Sequence, residues 1–181
     1  MHSSLSPIYD RLQKSMVDLL EKIKDQPDTV LNTKPENGGW SVLQVVYHLV
    51  LVEEASLAYV KKKLSYGDDI PKAGIKQAFR SQYLNYFIRT PIKVKAPTLV
   101  NESQMPEDIR FWEVLKKWKD NREELKEFLD QMPDKLLKTE LYKHGLVGKL
   151  TPRNMLLFFE GHFNRHLKQI NKVLKEVKFV V

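Results

Sequence analysis

Apolar residues recur every three or four positions along four stretches of this chain, with polar residues between them, the period of helices that bury one side. In the first stretch Leu5, Ile8, Leu12, Met16, Leu19 and Ile23 form one stripe. Ser6-Pro7 is a cap-then-proline start, and the helix is expected to run to about Gln26. The second opens at Ser41, with Gln44 three residues on in the pattern of a capping box, and is expected to reach about Leu64. Gly67, Asp69 and Pro71 break it. Residues 73–89, AGIKQAFRSQYLNYFIR, predict a shorter helix, and residues 91–105, with two prolines and no clear period, an extended connection. A third long helix is expected from about Pro106 to about Gln131, with Phe111, Trp112, Leu115, Trp118, Leu125 and Leu129 facing inward and Pro133 as its stop. KHGLVGKL then reads as a loop, and Thr151-Pro152 starts a last helix that should reach about Glu176.

Four long amphipathic helices with connections of unequal length give an all-α bundle. A length of 181 residues suits one domain, 1–181, with a substantial core. No stretch was found to approach the roughly 18 consecutive apolar residues of a membrane span, and the N-terminus lacks the apolar centre of a signal peptide, so the expectation is a cytoplasmic protein without membrane contact.

Composition narrows the chemistry. There are no cysteines, which excludes disulfides, iron-sulfur clusters and thiolate ligation, so any metal must use histidine or oxygen donors. The net charge of +7 raises the question of nucleic acid. The basic residues are nevertheless spread in short groups such as Lys61 to Lys63, interleaved with acids and without a nucleic-acid motif, and no nucleic-acid partner is expected.

Three histidines change the picture most. His162 and His166 lie one turn apart on the last helix, so their side chains diverge by only about 40°. They share a face with Met155, Phe158, Phe159, Ile170 and Val173 and therefore point inward. His48, on the second helix with Ser41, Gln44, Val45, Leu51, Val52, Ala55 and Tyr59, does the same. A lone inward histidine is usually a core residue with its own hydrogen bond. Three of them on two helices would each need a buried partner, and a shared divalent metal supplies one for all. Three neutral imidazoles suit zinc, nickel or iron, with manganese as a further option, and leave a coordination position open.

The segment GGWSVLQVVYHLVLVEE, residues 38–54, resembles the tryptophan-serine opening of the helix that carries the first ligand in the DinB/YfiT-like superfamily of metal-binding four-helix bundles. HGLVGKLTPRNMLLFFEGHFNRHLKQINKV, residues 144–173, is similar to that family's closing segment, whose two histidines one turn apart complete the set. The resemblance implies an up-and-down four-helix bundle, often dimeric, with zinc or nickel at His48, His162 and His166. It implies a metal-dependent hydrolase or a low-molecular-weight thiol S-transferase acting on a small-molecule substrate, without choosing between them. A non-catalytic metal-binding bundle stands as a further alternative.

Hydrolysis usually needs a positioned acid or base beside the metal. Glu53 and Glu160 lie roughly 140° to 160° around their helices from the histidines, and Glu54 is also off that face, so thiol transfer, which needs no such carboxylate, is the favoured chemistry. Arg122 falls on the apolar stripe of the third helix. It either recognises an anionic group on the substrate or pairs with an acid at the core edge such as Asp18, the second being favoured. Trp40, Trp112, Trp118, Tyr59, Phe158 and Phe159 are assigned to packing, and His144 is expected to contact the end of the bundle from its loop.

Overall fold

A computed structural model describes residues 1–36, 38–67, 69–77, 79–80, 82–83 and 105–177. The elements are α1 (Ser6–Ile23), a short α2 (Asp28–Asn32), α3 (Val42–Ser65), α4 (Phe111–Asp130), a 3-10 turn at Asp134–Leu136, a hairpin of β1 (Tyr142–His144) and β2 (Gly148–Leu150), and α5 (Pro152–Val177). α3 packs against both α4 and α5, and α1 against α5 and, less extensively, α4. The four long helices thus close into a bundle. The short helix expected over 73–89 is helical at residues 75–77, 79–80 and 82–83, and the rest of it, with nearly all of the connection over 91–105, lies outside the described residues.

Side-chain caps mark two of the helix starts. At α3 the Ser41 hydroxyl accepts the Gln44 amide at 3.2 Å while Gln44 Oε1 accepts the Ser41 amide at 3.1 Å, and both residues are buried. At α5 the Thr151 hydroxyl accepts the Asn154 amide at 3.2 Å. At α1 the expected serine cap is absent: Leu5 stands at the cap position, and Ser6 donates its hydroxyl to Asp10 Oδ2 at 3.2 Å. The α4 helix begins at Phe111 rather than Pro106, because the segment before it is tied sideways to α2. Asn32 Nδ2 donates to the Ile109 carbonyl at 2.9 Å, Asn32 Oδ1 accepts the Ile109 amide at 3.2 Å, and Asp28 Oδ1 accepts the Phe111 amide at 3.2 Å. A later start leaves Trp112 in the first turn, six residues and about 120° away from Trp118, and it is 61% exposed rather than inward.

Two apolar clusters make the core. One joins Leu5, Ile8 and Leu12 to Leu57, Val60, Leu125, Leu129, Met155 and Phe159; the other joins Met16, Leu19 and Ile23 to Val45, Leu49, Trp118, Phe163 and Ile170. At the step between them each long helix carries a polar side chain: Gln13 on α1, Glu53 on α3, Asn121 and Arg122 on α4, His162 on α5. Glu53 and Arg122 are 3% and 1% exposed. The histidines therefore stand at the edge of a polar layer that crosses the bundle.

α3 buries more than the histidine face. Ala55 and Tyr59, expected inward, are exposed, while Glu53, well off the histidine face, is buried, since α4 covers it. By length and composition α3 is also apolar enough to cross a membrane, although the sequence reading singles out no such stretch. The most apolar window of that helix is 61% buried inside the bundle, as in the central helix of a packed core.

Candidate metal centre

His48 projects from the second turn of α3, and His162 and His166 project from one face of α5 where it packs on α3. Their nitrogens converge. His48 Nε2 is 3.4 Å from His162 Nε2, which is 3.1 Å from His166 Nε2, and one ligand atom from each of the three lies within 4.8 Å of the others. Metal–nitrogen bonds of about 2.0–2.1 Å at tetrahedral or octahedral angles place ligand nitrogens roughly 2.9–3.4 Å apart. Two of the three separations fall in that range and the third lies within 4.8 Å, so a small closing of the rings seats one divalent transition metal.

Gln169 orients the set. Its Oε1 accepts a hydrogen bond from His166 Nδ1 at 2.9 Å, which leaves the lone pair of His166 on Nε2, the atom facing the other two histidines. One turn along the same helix, this residue acts on the site from outside the ligand set, without a spacing that marks it in the sequence.

His48 is 4% exposed, while His162 and His166 are half-buried at the rim. Burial pushes the imidazole of His166 down to about 4, with its bond to Gln169 opposing and the Arg165 charge assisting. For His162 burial again dominates, and His166, His48, Arg165 and His144 add to it, so its pKa lies well below the ordinary 6.5. Both rings are thus held neutral, the form a metal requires.

Aromatic rings enclose the triad. Trp40, half-buried, has its ring 4.8 Å from that of His48, and Phe158 stacks on His162 at 5.3 Å with 27° between planes. Phe158 also meets His144 edge-on at 4.5 Å. Trp40 and Phe158, read from the sequence as packing residues, therefore wall the site.

Arg122 does not face the histidines. Its Nε and Nη2 donate to Glu53 Oε2 and Oε1, each at 2.7 Å, and Trp118 Nε1 donates to the same Oε2 at 3.2 Å. Its acid partner is thus Glu53 rather than Asp18, which pairs with Lys14 on the surface. Glu160 is held by Arg11 and Glu54 by Lys117. Among the described residues no carboxylate joins the three histidines.

Similarity to known proteins agrees with this architecture. YfiT from Bacillus subtilis, described as a probable metal-dependent hydrolase with an unusual four-helix bundle topology, superposes with a TM-score of 0.64 at 18% identity, covering 96% of this chain and 87% of that one. That likeness establishes the fold, a four-helix bundle. No curated protein matches the sequence. The model of the DinB superfamily aligns with residues 8–170, a span that runs from the first turn of α1 through all three histidines, and the chain belongs to that superfamily.

Proposed function

We propose that this protein is a metal-dependent enzyme that transfers a low-molecular-weight thiol to a small electrophilic substrate at His48, His162 and His166. The observation that carries this reading is the commitment of the neighbouring carboxylates: Glu53 to Arg122 and Trp118, Glu160 to Arg11, Glu54 to Lys117. With no carboxylate base at the triad among the described residues, chemistry that needs only an acidified nucleophile is favoured.

A divalent metal at the triad supplies Lewis acidity, which lowers the pKa of a thiol or water at its open position. The protein's own residues do the rest. Gln169 fixes the lone pair of His166, Trp40 and Phe158 limit water around His48 and His162, and the charge of Arg165, felt by His162 and His166, favours an anionic nucleophile there. The thiol gives its proton to solvent, the sulfur electron pair forms a carbon–sulfur bond, and the leaving group departs with the electrons of the bond it breaks.

Metal analysis after loading with zinc, nickel, iron or manganese should find one ion per chain, lost in His166→Ala, and a chlorinated aromatic electrophile should turn over only with added thiol. Absence of bound metal under all four conditions overturns the reading. A second reading, hydrolysis of a small molecule, is favoured by the description of YfiT, and ester or amide cleavage without thiol would select it. Metal binding without turnover in either assay would leave a non-catalytic bundle.

A further inference from the structure

A fourth histidine lies one phenyl ring away from the triad. His144 ends β1, opposite Gly148 of β2, and Gly148 takes φ 81°, the left-handed conformation that closes the short turn between the strands. Within that turn His144 Nδ1 accepts the Leu146 amide at 3.2 Å. A neutral imidazole whose Nδ1 accepts must carry its hydrogen on Nε2, so the backbone fixes this ring as a donor at Nε2. Nε2 has no hydrogen-bond partner in the described structure, and the ring is only half-buried.

The ring is also placed against the metal centre. It packs edge-on against Phe158 at 4.5 Å, and Phe158 in turn stacks on His162 at 5.3 Å. The triad, one phenyl ring and an oriented imidazole donor therefore follow one another in that order.

We propose that His144 is a substrate-contacting residue, its Nε2–H donating to an acceptor, such as a carboxylate or amide oxygen, on a small molecule whose other end occupies the position left open beside His48, His162 and His166. This inference rests on the thiol reading above and adds the class of thiol: one that carries an acceptor oxygen beyond its sulfur, about one aromatic ring away. Phe158 supplies the apolar floor between the two contacts.

The test compares ethanethiol, which has no acceptor, with N-acetylcysteine, each titrated into cobalt-loaded protein and followed by the cobalt absorption. His144→Phe keeps a ring against Phe158 and removes the donor, and His144→Gln restores a donor. In His144→Phe, N-acetylcysteine should bind about tenfold more weakly while ethanethiol binds as before, with partial recovery in His144→Gln. Equal effects on both thiols, or none, overturn the role of His144. Cobalt spectra of the wild type that respond to neither thiol overturn the thiol reading itself. Thermal melts and cobalt content of the variants separate a folding defect from a lost contact: a stable, cobalt-replete His144→Phe that discriminates between the thiols like the wild type refutes the proposal.

Discussion

Arg122 meets Glu53 fork to fork, with two bonds of 2.7 Å, inside a core where the two are 1% and 3% exposed. A buried pair of this kind stabilises less by its presence than it destabilises when halved, because the remaining charge has no water to return to. Arg122→Met should cost about 3–5 kcal/mol in urea unfolding, and Glu53→Leu added to it should restore most of that loss. Recovery on the second substitution identifies a structural pair. If Arg122 instead held a substrate, binding would stay impaired in the double variant even after its stability had returned.

The layer around that pair shows how far the sequence could be read. Four long helices were legible because each repeats its apolar stripe over several turns, and because Ser41 with Gln44 and Thr151 with Pro152 write their starts into local sequence. α2 and the hairpin were not, since five residues and two strands of three fall below any recognisable period. The partner of Arg122 was missed for a different reason. α3 buries several faces, and a helical wheel drawn from His48 alone puts Glu53 on the outside, whereas α4 covers that side. The late start of α4 likewise depends on Asn32 and Asp28, some eighty residues earlier in the chain. The three histidines needed only spacing and the inward direction of their faces, so their convergence was foreseeable, while Gln169 and His144 act through contacts that spacing does not reveal.

Ser41 holds the first turn of α3, two turns before His48. Its replacement by alanine leaves the buried Gln44 amide without an acceptor, and Gln44 also donates from Nε2 to the Pro106 carbonyl at 3.0 Å, linking this turn to the segment before α4. Ser41→Ala should therefore lower stability by about 1–2 kcal/mol, read as a reduced urea midpoint at unchanged slope. A loss within measurement error would show that the cap contributes nothing to the folded state.

Acid should weaken the metal-free protein through its histidines. In the fold burial holds His144 and His166 down at about 4 and His162 well below the ordinary value, against about 6.5 in an unfolded chain. Between those values the unfolded state binds more protons than the folded one, so stability rises with pH. The contribution of the neutral rings is complete above about pH 6.5 and is lost progressively as pH falls toward about 4. Urea midpoints of chelator-treated protein at about pH 7.5, 5.5 and 4.5 should decline, and less steeply in His166→Leu. Identical slopes in the two proteins would mean that His166 is already free to protonate in the fold.

The bond from His166 to Gln169 makes the last prediction, because it separates a preorganised metal centre from a chance meeting of three rings. With Gln169 Oε1 fixed on Nδ1 at 2.9 Å, Nε2 of His166 keeps its lone pair 3.1 Å from His162 Nε2. Gln169→Leu removes that restraint and leaves the ligand itself in place, so the ring can turn and exchange tautomers. Outer partners of ligating histidines typically contribute 10- to 100-fold in affinity, about 1.4–2.7 kcal/mol. Competition with a chelator of known strength should show zinc bound about 10- to 100-fold more weakly in Gln169→Leu, with helix content and melting of the metal-free protein unchanged. His166→Ala, by contrast, should lose binding altogether. Equal zinc affinity in Gln169→Leu and the wild type would show that His166 is held by its packing alone and that Gln169 takes no part in the site.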